Sequence, residues 1–216
     1  MKTDTKKLVS LSMLAAIAFV AVALIRIPLL AFLSYEPKDV VIVIAGFIYG
    51  PLSAALISVV VSLVEMVTIS STGWIGMIMN ILSTCAFACL ASYLYGRKRT
   101  LGNAVAGLAA GTVLMVIVML LWNYLITPLY MGVPREQVQG MLVPVFLPFN
   151  LIKGGLNSAI TMLLYKPIVT TLRKAHMLPE SKAGVKSGKV SLGVLLVSFG
   201  VIATCVLVIL ALQGVL

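Results

Sequence analysis

The sequence is poor in the residues that catalysis and metal binding require. Only 10% of its 216 residues are charged, and it holds six Asp and Glu residues, one histidine and three cysteines. It contains no H-E-x-x-H or G-x-S-x-G motif, so we expect no catalytic residues, no metal site and no enzymatic activity. It also lacks a G-x-x-x-x-G-K-[ST] phosphate loop, so we expect no ATP hydrolysis by the chain itself.

Apolar residues, by contrast, are abundant and form long runs. Hydrophobic residues make up 61% of the chain, and its mean hydropathy is +1.14. Soluble domains are about half apolar and about a quarter charged. The composition therefore predicts an all-α integral membrane protein, because a helix satisfies its own backbone hydrogen bonds within lipid.

Seven apolar segments predict helices. The run 8–33 is too long for a removable signal peptide. The run 40–70 would form one helix of about 45 Å, longer than a hydrocarbon core, and Gly50-Pro51 divides it because glycine ends helices and proline begins them. The predicted segments are 8–33, 39–49, 51–70, 74–95, 103–126, 143–172 and 190–212. They group into a six-helix membrane domain (1–172), a cytoplasmic basic linker (173–189) and an additional transmembrane helix (190–213).

The positive charges predict how these segments are oriented. With the chain divided at Gly50-Pro51, all but four of the sixteen basic residues fall on the side of the N-terminus, which is therefore expected to be cytoplasmic. Seven segments then place the C-terminus outside. The four exceptions are Arg26, Lys38, Arg135 and Lys153. Because topology accounts for the net charge of +10, no nucleic-acid partner is expected.

Polar side chains within the predicted helices fall at one depth, near the outer face. Glu65, for example, lies about 21 Å along a helix that starts inside at Pro51. Five such residues from four helices are predicted to converge: Glu65, Asn80, Asn123, Asn150 and Lys153. Buried charges in membranes are costly and usually mark a ligand site or an ion path. The alternative is that Lys153 only pairs with Glu65 as a structural tie.

Two further patterns accompany this convergence. Asn150, Lys153 and Asn157 are spaced i, i+3, i+7 and share one helix face. An aromatic group, Trp122, Tyr124 and Tyr130, lies at the same level. These rings could belong to an interfacial belt. Beside amide and ammonium donors, however, they also suit a flat heteroaromatic ligand with carbonyl acceptors.

The first segment also carries a group of small residues. Ser12, Ala15 and Ala16 allow another helix to approach closely, either within the chain or from a partner.

Four stretches resemble the riboflavin-binding S components of bacterial energy-coupling factor (ECF) transporters. They are LVSLSMLAAIAFV, YEPKDVVIVIAGFIYGPLSAAL, WNYLITPLYMGVP, and LPFNLIKGGLNS followed by LLYKPI. The resemblance covers residues 1 to about 172. It implies a six-helix bundle in the bacterial cell membrane that binds riboflavin outside and releases it inward when a transmembrane coupling subunit and two ATPases drive reorientation.

The resemblance also implies roles for particular residues. Asn150 and Lys153 match the flavin-contacting positions, and the loop Tyr35 to Asp39, which includes Lys38, matches an outer gating segment. Ser12, Ala15 and Ala16 match the contact with the coupling subunit, although the family pattern is Ala-x-x-x-Ala and this chain has Ser12 with Ala16. The seventh segment departs from the usual six helices.

Several interpretations remain open at this stage. Riboflavin is the expected transported ligand, with flavin mononucleotide (FMN) as a second candidate and no separate cofactor. An S component for a different vitamin or heterocycle is the nearest alternative. An intramembrane enzyme or a scaffold is a more distant one, since no catalytic group is evident and a scaffold does not explain the polar convergence.

Overall fold

The computed structural model describes residues 5–30, 33–70, 72–175 and 191–212. The helices are α1 (Thr5–Leu24), α2 (Lys38–Tyr49), α3 (Pro51–Thr68), α4 (Gly73–Arg97), α5 (Leu101–Leu125), α6 (Thr127–Met131), α7 (Arg135–Met141), α8 (Leu147–Lys174) and α9 (Leu192–Leu212). A π-helical turn, Leu142–Phe146, joins α7 to α8, and two short strands, β1 (Ile27–Leu30) and β2 (Leu33–Tyr35), follow α1. The predicted class, a helical membrane protein, is confirmed.

Five helices in the described part of the chain are long and apolar enough to cross a bilayer: α1, α3, α4, α5 and α9. Helix α8 has 28 residues, which gives about 42 Å, but it carries Lys153 and, near its end, Arg173 and Lys174. Helix α2 has only 12 residues. It lies inside the bundle, and its residues 38–47 are all buried.

The division between α2 and α3 follows the prediction. Gly50 has a φ of 94°, a backbone conformation that favours glycine, and its N–H donates to the Gly46 carbonyl at the end of α2. Pro51 then occupies the first turn of α3, where its missing N–H costs nothing.

The predicted end of the first helix is wrong. We expected helix through residue 33, but α1 ends at Leu24 and the chain forms an antiparallel hairpin in which Ile27 pairs with Tyr35. Pro28 explains this, because proline lacks an N–H and disfavours helical geometry in the residue before it. The start of the sixth segment also differs, since α8 begins at Leu147 rather than at residue 143.

The long helices pack side by side, with α4 between α3 and α5, and α8 against α5, α2 and α9. Glycine permits a close approach of α5 to α4. A Cβ at Gly107 of α5 would lie 2.7 Å from the carbonyl oxygen of Ala91 on α4. Helix α1 packs on α2 and α3. The hairpin and α6 lie at the same end of this bundle, because both border the cavity described next.

Candidate functional site

A cavity opens at the hairpin end of the bundle. Its walls come from the hairpin, α3, α4, α5, α6 and α8. The empty space between them, including the open mouth, is about 1240 Å³. The cavity proper measures about 230 Å³, just below the roughly 300–1,000 Å³ of typical sites for small organic ligands, and its open mouth adds to this space.

All five polar residues that were predicted to converge line this cavity: Glu65, Asn80, Asn123, Asn150 and Lys153. The fixed rise of the helix brings them to one level. The amide nitrogens of Asn123 and Asn150 each donate to a backbone carbonyl four residues earlier, at 2.7 and 2.8 Å. These bonds hold the two side chains in place against their own helices.

Lys153 pairs with Asp39, not with Glu65 as the structural-tie alternative supposed. Its Nζ lies 3.2 Å from Asp39 Oδ2 and donates to Ser83 Oγ at 3.4 Å. Asp39 is completely buried, and its carboxylate also accepts bonds from Thr84 (2.6 Å) and Asn157 (3.2 Å). It stands in the first turn of α2, where the helix dipole favours a negative charge.

Glu65 has a different cation beside it. The Lys38 ammonium donates to Glu65 Oε2 at 2.5 Å, and the Asn80 amide donates to the same oxygen at 3.1 Å. The other oxygen, Oε1, has no hydrogen-bond partner among the described residues, although Glu65 is only 2% exposed. A buried carboxylate oxygen without a donor is costly, so a ligand donor would be favoured there.

The hairpin contributes a further ion pair to the cavity wall. Arg26 donates to Glu36 Oε1 through Nε at 3.1 Å and Nη2 at 2.8 Å, and Lys38 donates to Glu36 Oε2 at 2.8 Å. Burial alone would raise the pKa of the Glu36 carboxyl, but Lys38, Lys153 and Arg26 together outweigh burial, and the pKa lies below its usual range. Sequence reasoning placed Glu36 only within the outer loop Tyr35 to Asp39 and did not assign Arg26 to the site, because only the unpredicted hairpin brings the two side chains together.

Some predicted site residues lie behind the cavity lining. Tyr35 donates to Asn157 Oδ1 at 2.8 Å, and Asn157 in turn donates to Asp39. Together with Lys38 and Asp39, these residues support the lining residues Lys153 and Glu65. Ser83, three residues after Asn80, also lines the cavity and was missed, although its spacing from Asn80 places it on the same face.

The predicted aromatic group separates into two environments. Trp122 and Tyr130 line the cavity. Tyr124 does not, and it is 37% exposed, because it follows the inward-facing Asn123 and points about 100° away around α5. Contrary to the prediction, Tyr124 therefore does not border this cavity. Trp74 is 64% exposed, as expected for an interfacial belt.

The small residues of α1 also differ in their exposure. Ala15 packs partly buried against the core of the bundle, whereas Ser12 and Ala16 are exposed. The surface that remains open for another helix is therefore the Ser12–Ala16 pair.

Comparison with known proteins shows that this chain is similar to transport proteins. The family model described as the ECF transporter, substrate-specific component, matches residues 6–165. A riboflavin transporter, RibU, of Staphylococcus aureus is 30% identical over 180 residues, which are 79% of this chain and 94% of the relative. A riboflavin transporter, FmnP, of Bacillus subtilis is 29% identical over 187 residues, 80% of this chain and 98% of the relative.

A solved structure agrees with these sequence matches. The S component of a bacterial ECF transporter superposes with a TM-score of 0.67 at 31% identity. The match covers 79% of this chain and 99% of that chain, so about a fifth of this chain has no counterpart there. The family match ends at residue 165, before α9 begins.

Proposed function

The chain belongs to the substrate-specific components of ECF transporters, and we propose that it captures riboflavin in the cavity at the hairpin end of its bundle. It is a multi-pass protein of the cell membrane. In our proposal the hairpin end faces outward, the N-terminus is cytoplasmic and the C-terminus is outside. The basic residues Arg97, Lys98 and Arg99, at the far end of α4 from the cavity, support this orientation.

The observation that carries the proposal is the mixture of groups around one cavity. Lys153 supplies an ammonium donor, Glu65 Oε1 supplies a buried acceptor, and Trp122 supplies an aromatic face. A flavin is a flat ring system with carbonyl oxygens and a ring N–H, and it carries a chain of hydroxyl groups. The ring suits Trp122, the carbonyl oxygens suit Lys153, and an N–H or a hydroxyl suits Glu65.

The charges around the cavity favour a neutral ligand. Three cations, Arg26, Lys38 and Lys153, are paired with three carboxylates, those of Glu36, Asp39 and Glu65. The site is thus compensated without a ligand, and no described cation in this network is left over for a phosphate. FMN would add about two negative charges at neutral pH. We therefore propose riboflavin, with its neutral hydroxyl chain, as the preferred ligand and FMN as the weaker one.

Transport against a gradient requires energy that this chain does not supply. Its sequence has no phosphate loop, so we propose that a transmembrane coupling subunit and two ATPases act with it, as the family implies. The exposed Ser12–Ala16 pair on α1 is the proposed contact, because small side chains let a partner helix come close. In this proposal riboflavin is the transported ligand, and the chain has no separate cofactor and no catalytic role.

The two tryptophans provide a matched test of the site. We expect Trp122→Ala to weaken riboflavin binding by about tenfold, because it removes the aromatic face from the cavity wall. Trp74→Ala removes the same type of side chain from an exposed position and should bind like the parent. Titration of the detergent-purified proteins with riboflavin measures both. Equal affinities in the two variants, or no saturable binding by the parent, would contradict the proposal.

A further inference from the structure

Helix α9 lies beyond the residues that match the family, and it buries only one narrow stripe. Ser198 is buried, and Ile202, Cys205 and Ile209 are half-buried. Their spacing, i, i+4, i+7, i+11, places them on one helix face. Large side chains between them, such as Leu207, are exposed as expected for a lipid-facing surface. Helix α9 is therefore a membrane helix that is fixed to the bundle along one side.

The stripe packs against a small hydrophobic cluster at the hairpin end. We call this the hairpin–α8 cluster, and it consists of Leu29, Tyr35, Phe149, Ile152 and Leu156. The partly buried Leu33 joins it, and Ile202, Cys205 and Ile209 of α9 close its outer side. Phe149 and Leu33 also line the cavity. The cluster is thus a wall with α9 on one side and the proposed ligand on the other.

The hairpin–α8 cluster is also connected to the polar residues of the site. Tyr35, a member of the hairpin–α8 cluster, donates to Asn157 at 2.8 Å. Asn157 donates to the Asp39 oxygen that pairs with Lys153. A movement of Tyr35 away from α8 would break the first of these bonds and release Asn157 from its position beneath Lys153.

A hairpin of this size needs such support. Two-stranded hairpins are at best marginally stable alone in water, and β1 and β2 have only four and three residues. Within the described residues the hairpin is attached to the bundle by the Tyr35–Asn157 bond, by the packing of Leu29 and Tyr35 on α8, and by the contact of β1 with α9. Removal of α9 would take away one of the two apolar attachments and leave the hairpin–α8 cluster open on its outer side.

We propose that α9 is a positioning element that holds the hairpin against α8 and so retains the ligand in the cavity. The claim that α9 helps to retain riboflavin rests on the proposed function, whereas the claim that α9 holds the hairpin does not. Helix α9 packs on α8 and β1 and leaves Ser12 and Ala16 exposed, so it can act without obstructing the proposed coupling contact. The side of α8 that faces α9 is thus covered by a segment of the same chain.

Gly155 and Gly200 give a matched pair of variants to test this. A Cβ at Gly155 of α8 would lie 3.2 Å from Cys205 Sγ and 3.7 Å from Val201 Cγ1, so Gly155→Leu must push α9 away. Gly155 does not line the cavity. Gly200→Leu makes the same change on α9 where nothing lies within 4 Å, and it serves as the control.

Two measurements on the full chain distinguish the outcomes. In Gly155→Leu we expect the amides of β1 and β2 to exchange with deuterium faster than in the parent and in Gly200→Leu, without ligand. We also expect riboflavin to dissociate about threefold to tenfold faster from Gly155→Leu, a range typical for mutations that act through a packed network. Unchanged exchange of the hairpin amides overturns the inference, whether or not the parent binds riboflavin. If the parent binds no riboflavin while the exchange increases, the proposed ligand fails and the positioning role stands.

A gentler pair of variants covers the case in which Gly155→Leu does not fold. The double variant Ile202→Ala with Ile209→Ala removes packing from the stripe, and we expect the same faster exchange and faster dissociation. Phe199→Ala with Leu207→Ala removes comparable side chains from exposed positions of α9 and should match the parent. Equal exchange rates in the two double variants would overturn the inference.

Discussion

Replacement of Lys153 by methionine tests the charge network most severely. The change keeps the length of the side chain and removes its ammonium group, which lies 3.2 Å from Asp39 Oδ2. The two side chains are only 9% and 0% exposed, so the pair is buried. Removal of one partner of a buried pair costs about 3–5 kcal/mol. Asp39 keeps its bonds from Thr84 and Asn157, so we expect the lower part of that range.

A second substitution shows where this cost comes from. Asp39→Asn in the same chain removes the stranded charge, so we expect the double variant to recover most of the lost stability. The measurements are the yield of monodisperse protein and the unfolding midpoint in detergent. Lys174→Met, at the exposed end of α8, is the matched control and should resemble the parent. If Lys153→Met is as stable as this control, the pairing with Asp39 does not stabilise the fold.

The same double variant isolates the role of Lys153 in binding. Once folding is restored, the absence of the ammonium should still weaken riboflavin binding by about 1–3 kcal/mol, roughly 5- to 150-fold in dissociation constant. Asp39→Asn alone, titrated in parallel, corrects for any effect of the asparagine. If the double variant binds riboflavin as tightly as Asp39→Asn alone, Lys153 is not a ligand contact.

Two further predictions concern partners and topology. Ala16→Trp should bind riboflavin normally but fail to assemble with the coupling subunit and ATPases in pull-down and uptake assays, since the bulky ring prevents close helix approach; normal assembly would refute the proposed contact. A cysteine placed at Arg135 should react with an impermeant thiol reagent added outside intact cells, whereas one at Arg97 should not, and the reverse pattern would refute the orientation.

The depth of the polar residues could be predicted from the sequence because helical rise is constant. Counting from Pro51 placed Glu65 near the cavity, and similar counts placed Asn80 and Asn123 at the same level. Side-chain identity and helix length sufficed for this, since a membrane segment has few alternatives to a straight helix.

The ion pairs could not be predicted in the same way. Whether Lys153 meets Glu65 or Asp39 depends on how α2 and α3 are rotated about their axes. Helix α2 is buried on all sides, so its sequence, KDVVIVIAGFIY, has no polar face that would indicate its rotation. Only the packed structure shows Asp39 directed toward α8.

The hairpin was missed for a different reason. Residues 8–33 are almost uniformly apolar, and the helical pattern masks the point where α1 ends. Pro28 was the available signal, since the residue before a proline is biased away from helix. Its omission hid the Arg26–Glu36 pair, because ten residues separate the two side chains in the sequence.

The most direct test of the central claim is the absorption spectrum of the purified chain, followed by equilibrium titration with riboflavin and with FMN. We predict a flavin band after purification from cells grown with riboflavin, with about one flavin per chain, and tighter binding of riboflavin than of FMN. A chain that carries no flavin and binds neither compound would contradict the assignment of the cavity to riboflavin, and tighter binding of FMN would contradict the argument from balanced charge.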